Sequence, residues 1–239
     1  MLALGLPGDA SARNGSGKPL PQKEKIEILV KRDPEGVRRN ILRIASEEFA
    51  TNGLSGARVD EIASRTKTSK RMIYYYFGDK EGLYKACLEA AYANVRGGEA
   101  QLDLGGLPPR DALAKLVAFT FDHHRKHPDF IRMVMIENIH HADYLKQSDV
   151  IQGMNNAAID KLADIIRRGQ NEGTFRTELD PVELHWQISA LTFFNVSNRH
   201  TFSALFGSEL FTEERQSDLR DHMVEMVLRF ASVQKGQPE

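Results

Sequence analysis

Between Arg58 and Lys80 the chain reads Arg-Val-Asp-Glu-Ile-Ala-Ser-Arg-Thr-Lys-Thr-Ser-Lys-Arg-Met-Ile-Tyr-Tyr-Tyr-Phe-Gly-Asp-Lys, and hydrogen-bond donors crowd it. Arg58, Lys67, Thr68, Ser69, Lys70, Arg71, Tyr74, Tyr75, Tyr76 and Lys80, with Met72 among them, combine charged and hydroxyl groups on one short stretch. Such groups suit the phosphates and base edges of a nucleic acid, and a helix that carries them fits a major groove about as wide as itself. Apolar Val59, Ile62, Ala63, Ile73 and Phe77 fall between the donors where two short helices would bury them together. The spacing predicts a helix from Val59 to about Thr66, a turn over Thr66–Ser69 and a recognition helix from Lys70 to Tyr76. Ser69 is placed to cap that second helix. Any one of these residues could equally belong to a solvated helix beside a tyrosine-rich core; their conjunction is what points to DNA.

The elements that must hold this motif are also legible. Pro34 opens a helix in which Val37, Ile41, Ile44, Ala45 and Phe49 recur at helical spacing, closed by Asn52-Gly53. Asp79 can cap a helix with an apolar face of Leu83, Cys87, Ala90 and Ala91. Beyond the Gly105–Pro109 break, helices are expected near Arg110–His127, Asp129–His141, Val150–Glu172, Pro181–Phe206 and Thr212–Gln234, separated by Pro128, Gly173, Pro181 and Gly207. No segment sustains the period-two alternation of a strand, so the expected fold is all-α. Three parts are expected: a flexible basic arm over 1–33, a helix-turn-helix DNA-binding domain over 34–90, and a helical regulatory and dimerisation domain over 91–239.

Bulk properties narrow the function further. The chain has 239 residues, 41% hydrophobic and 27% charged, and its apolar runs fall well short of the roughly 20 residues of a membrane span. Met1–Leu6 lacks the cationic start and long apolar stretch of a signal peptide, so the expected location is the cytoplasm with no membrane partner. Net charge is -1, yet Lys31 to Lys85 holds twelve basic residues against eight acidic ones, so a nucleic acid suits only that end. Lys31 and Arg32 could serve as a minor-groove arm or as a plain basic tail. Cys87, the single cysteine, lies on an apolar stripe and reads as core filler.

Taken in order, Ile41 through Phe49, Gly53, Val59, Ile62-Ala63, Ser69, Ile73-Tyr74, Tyr76-Phe77, Lys80-Glu81 and Leu83 closely resemble the N-terminal domain of the TetR/AcrR family of bacterial transcription regulators. The resemblance spans about fifty residues. It implies a two-fold dimer on double-stranded operator DNA, a three-helix DNA-binding domain and a helical domain that answers a small-molecule effector, most commonly as a repressor. It also implies phosphate contacts from Tyr74, Tyr76 and Lys80, and base-edge contacts from Arg71, Met72 and Tyr75. Two positions depart from the family pattern. Lys67 stands where a turn glycine is usual, and Arg58 stands where Ser or Thr usually caps the helix. The second half is faintly similar to the pyrimidine-utilisation regulators, in His-Pro-Asp-Phe at 127–130 and in Gly-x-Phe followed by Asp-Pro at 173–181. Those shared features are helix boundaries and carry no ligand with them.

In the regulatory half, Leu184, Ile188 and Leu191 with Leu219, Met223, Met226, Val227 and Phe230 form apolar faces that would make a four-helix bundle with their copies; completing the monomer core is the alternative. Polar groups interrupt apolar stretches, and the expected effector contacts are Trp186, Phe193, Phe194, Asn195 and Asn198, with Glu137 and His141. His123, His124 and His127 share a helix face, but no carboxylate or cysteine joins them in a recognised ligand pattern, so neither metal nor cofactor is expected. Two other readings compete. One is a helical enzyme using Glu137 with His140 or His141, which lacks an organised nucleophile; the other is an architectural DNA binder that answers no ligand.

Overall fold

A computed structural model describes residues 33–233, so the expected N-terminal arm, with Lys31 and Arg32, and the far end at Gln234 lie outside the described residues. Within them the chain forms α1 (Pro34–Gly56), α2 (Val59–Thr66), α3 (Lys70–Phe77), α4 (Lys80–Ala100), α5 (Pro109–Lys126), α6 (Pro128–Ile139), α7 (Asp149–Asn171), α8 (Pro181–Ser197), α9 (Arg199–Phe206) and α10 (Glu213–Ala231). The only pairing of extended backbone among the described residues is an isolated bridge between Phe175 and Ser232.

Local chemistry sets most of these limits. Asp33 accepts from the Gly36 N–H at 2.8 Å and Pro34 fills the first helical position of α1. Gly53, at φ 66, breaks the helical path of α1 close to where the sequence placed its end. Ser69 caps α3, Asp79 caps α4 at 2.7 Å from the Gly82 N–H, and Asp180 caps α8. One expected helix is two. Pro181–Phe206 divides at Asn198, where φ −102 and ψ 6 turn the chain so that the Phe202 ring meets Phe206 at 4.8 Å and Phe211 at 6.1 Å. That break involves neither proline nor glycine, and beyond it Phe202 packs on Phe211 of the segment that follows α9.

Two cores form. The first joins Ile41, Phe49, Ile62, Ile73, Leu83, Tyr84 and Cys87 of α1–α4 and runs on into Met133 of α6 and Ile151 of α7. The second joins α5, α7, α8 and α10 through Leu113, Val117, Ile165, Leu184, Ile188 and Val227. Helix α4 crosses the expected boundary at residues 90 and 91 without a break.

The regulatory interior is not wholly apolar. His123 and His124 of α5 are buried, and burial pushes both imidazoles down to about 4, with neighbouring His127 and His123, respectively, adding to the effect. Both are therefore neutral at pH 7 in the native chain and titrate near 6.5 once unfolded. A base whose native pKa is depressed takes up its proton on unfolding, so native stability is full above pH 6.5 and falls as pH drops toward 4. Thermal unfolding followed by circular dichroism is expected to show a midpoint that declines over that window. His124→Gln should flatten the decline, and an equally steep decline in that variant would contradict the assignment.

Candidate nucleic-acid interface

Helix α3 is seated by Ile73, which is fully buried, and by Phe77, which is half-buried against the first core. The other faces of α3 are left to solvent. Arg71 is exposed and makes no hydrogen bond or ion pair with any described residue, while Tyr75 is 77% exposed and edge-on to Tyr76 at 5.5 Å. Met72, Tyr74 and Tyr76 are half-buried, and the two tyrosines pack against the first core. Lys70 is exposed and lies 3.1 Å from Asp60, a surface pair that a phosphate can displace cheaply. The Ser69 hydroxyl is engaged in accepting from the Met72 N–H, and the Thr68 hydroxyl donates to the Thr66 carbonyl. Lys80 reaches back to the Ser55 carbonyl at 3.3 Å, beside the end of α1. Thus Lys67, Thr68, Ser69 and Lys80 flank α3, which itself carries Lys70, Arg71, Met72, Tyr74, Tyr75 and Tyr76, while Arg58 stands apart at the start of α2.

Two features of this unit escape local sequence patterns. Arg58 supplies no side-chain cap to α2, as expected, but the buried Glu48 carboxylate accepts from the Arg58 N–H at 3.1 Å and from Asn52 at 2.9 Å. A carboxylate ten residues earlier thus anchors the start of α2, where a negative charge also favours the helix dipole. Glu47 pairs with both Arg43 and Arg65 and so ties α1 to the last turn of α2. Lys67 does adopt the left-handed conformation, at φ 54. At the other end of α3, a Cβ on Gly82 would lie 2.1 Å from the Phe77 carbonyl oxygen, so only glycine lets α4 start this close to α3.

The expected effector and dimer residues are brought together only in part. Asn195 is buried and exchanges hydrogen bonds with Gln216 at 2.8 and 3.1 Å. With Phe194 and Asn198 it lines a groove of about 390 Å³, whereas Phe193 is half-buried on another face and Trp186 stands 69% exposed away from it. Glu137 is not in a pocket: it is 1% exposed and accepts from the Tyr144 and Leu145 N–H groups at 3.2 and 3.1 Å. It fastens a turn in which His141 and Ala142 are both left-handed, and His141 points to solvent. Leu184, Ile188, Met223 and Val227 are buried within the single chain, which fits the alternative that they complete the monomer core. Leu191 and Leu219 are half-buried along the groove. What α8 and α10 leave uncovered is a different stripe: Val182, Trp186, Ala190 and Phe194 at successive i, i+4 positions, with Met226 and Phe230. His123 and His127 stack at 4.0 Å, and His123 meets Asn94 at 3.0 Å; among the described residues no three metal-ligating side chains converge.

Comparison with known proteins places this architecture. Residues 41–87 match the family described as bacterial regulatory proteins, tetR family, and residues 109–227 match the family described as Tetracyclin repressor-like, C-terminal domain. The HTH-type transcriptional repressor NicS of Pseudomonas putida KT2440 is 35% identical over 192 residues, which are 80% of this chain and 91% of NicS. The chain belongs to the TetR family of transcription regulators. Among solved structures, the transcriptional regulator SCO4942 of Streptomyces coelicolor superposes with a TM-score of 0.64 at 27% identity, over 82% of this chain and 98% of that one. A TetR-family regulator of Marinobacter aquaeolei VT8 shares the fold, with a TM-score of 0.66 at 19% identity over 85% of this chain and 100% of its own.

As a TetR-family protein the chain binds DNA, and the departure at Lys67 has a measurable cost. A left-handed backbone costs a residue with a Cβ roughly 1 kcal/mol that glycine does not incur. Lys67→Gly is therefore expected to raise stability to urea by only about 0–0.6 kcal/mol, because the looser unfolded chain offsets about 0.4–1 kcal/mol of the relieved strain. An equilibrium urea titration checks this, and a loss of stability would show that the turn is unstrained.

Proposed function

We propose that this TetR-family regulator is a homodimeric, cytoplasmic repressor that grips a palindromic operator through α3 of each protomer and lets go when a small molecule occupies the regulatory half. The observation that carries the reading is α3 itself: capped by Ser69, seated by Ile73, and presenting Arg71 with no protein partner. The repressor NicS, so named, supports repression over activation. Dimerisation is supported by the uncovered stripe of Val182, Trp186, Phe194, Met226 and Phe230 on α8 and α10, an apolar patch of the sort that marks an interface. To enter successive major grooves on one face of DNA, the two α3 helices of such a dimer must stand about 34–36 Å apart. Arg71, Met72 and Tyr75 read base edges in this arrangement, and Arg58, Lys67, Lys70, Tyr74, Tyr76 and Lys80 hold phosphates.

Selection of bound fragments from random DNA tests the reading. The wild-type protein is expected to select an inverted repeat, and Arg71→Ala to relax one base step in each half-site at a cost of about 1–3 kcal/mol. Tyr74→Phe should instead weaken all sequences alike. An unaltered preference profile in Arg71→Ala would remove the base-reading role. Light scattering on Trp186→Glu with Met226→Glu, both exposed in the single chain, is expected to show a monomer with operator affinity down by about a hundredfold or more. A dimer surviving both charges would place the interface elsewhere.

A further inference from the structure

The end of α5, the first turn of α6, the α8–α9 junction and the start of α10 enclose a cleft of about 540 Å³. Its lining is mixed: Ile131, Met135 and Phe211 supply an apolar side, and the mutually bonded amides of Asn195 and Gln216 stand among the polar groups. Three guanidinium groups open onto this space. Arg125 is held at 2.8 Å by Glu213, whose side chain is 90% exposed, so that pair is a weak rim contact. Arg132 and Arg199 have no ion-pair partner among the described residues, and Arg199 lies over the Phe211 ring at 5.7 Å. The carboxyl beside them is Asp129, held above its ordinary range by partial burial and by Glu47, against the pull of Arg132. The cleft therefore sets a cationic surplus beside one apolar side, in a space of a size that suits one small molecule.

We propose that this cleft is the effector site and takes a small organic carboxylate, its charged end forked by Arg132 and Arg199 and its apolar body lying against Phe211 and Met135. Guanidinium forks match carboxylates in pairs of parallel hydrogen bonds, which a neutral amide cannot reproduce. The proposal rests on the repressor reading for its consequence. Helix α6, which carries Arg132, also buries Met133 in the first core beside Ile41 and Phe49 of α1, so a ligand held on Arg132 acts on a helix packed directly against the DNA-reading unit.

The test uses the full chain with benzoate, phenylacetate and succinate, each beside its amide, and with inorganic phosphate, read by calorimetry and by release from selected operator DNA. At least one carboxylate is expected to bind about tenfold or more tightly than its amide and to weaken operator binding, and the double variant Arg132→Gln, Arg199→Gln should lose that preference. Unfolding curves show whether the variant is folded, and Arg199→Gln alone serves if the pair is not. The proposal is overturned if no carboxylate outdoes its amide, if the preference survives in the variant, if phosphate binds as well as the carboxylates, or if a bound carboxylate leaves operator affinity unchanged. Failure to select any operator would instead sink the repressor reading, since calorimetry reports on the cleft without DNA.

Discussion

The joint between α3 and α4 is the constraint on which the rest depends. The Gly82 backbone lies so close to the Phe77 carbonyl that no side chain fits between them, and Asp79 closes the first turn of α4 at the same point. Helix α3 therefore cannot swing independently of α4. Helix α4 is a rod of 21 residues, roughly 30 Å long, whose far end lies among the regulatory helices. A small tilt at that end becomes a displacement of ångströms at Arg71. DNA places its successive grooves at a fixed interval, so a pair of such rods grips or misses according to tilt alone.

Carboxylates hold the DNA-facing unit in shape although its task calls for positive charge. Glu48 is buried and anchors the α2 start; Glu47 gathers two arginines at the other end of the same short helix. Both lie on α1, behind the face that α3 presents. Negative charge is thus spent on positioning, and Arg71, Arg58 and Lys67 are left for the polyanion. Electrostatic attraction supplies much of the affinity of such proteins, and it is this separation of the two signs across one small domain that makes it available.

The DNA-binding unit was legible in the sequence because its determinants are local. Ser69, Lys67 and Asp79 act within three residues of their own positions, so a cap or a turn can be read directly. Helix α8 shows the opposite case. It is apolar nearly all round, with Leu184 and Ile188 on one side and Val182, Trp186 and Phe194 on another, and periodicity cannot say which side meets its own chain. Glu137 shows a related dependence on tertiary structure. An isolated acid in an apolar stretch suggests a ligand, yet one of its oxygens accepts from the backbone N–H groups of Tyr144 and Leu145, beside the left-handed turn at His141 and Ala142. The split at Asn198 likewise has neither proline nor glycine to mark it in the sequence.

The first core has one further consequence. Met133 and Ile151 come from α6 and α7, yet they are buried in the same cluster as Phe49 and Leu83. Residues 34–90 are therefore not a detachable head: cut free, they would bare a greasy seat shaped for two side chains of the other half. Grafting them onto a foreign sensor would succeed only if that sensor brought equivalent plugs, so in this chain the reader and the listener have to be inherited together.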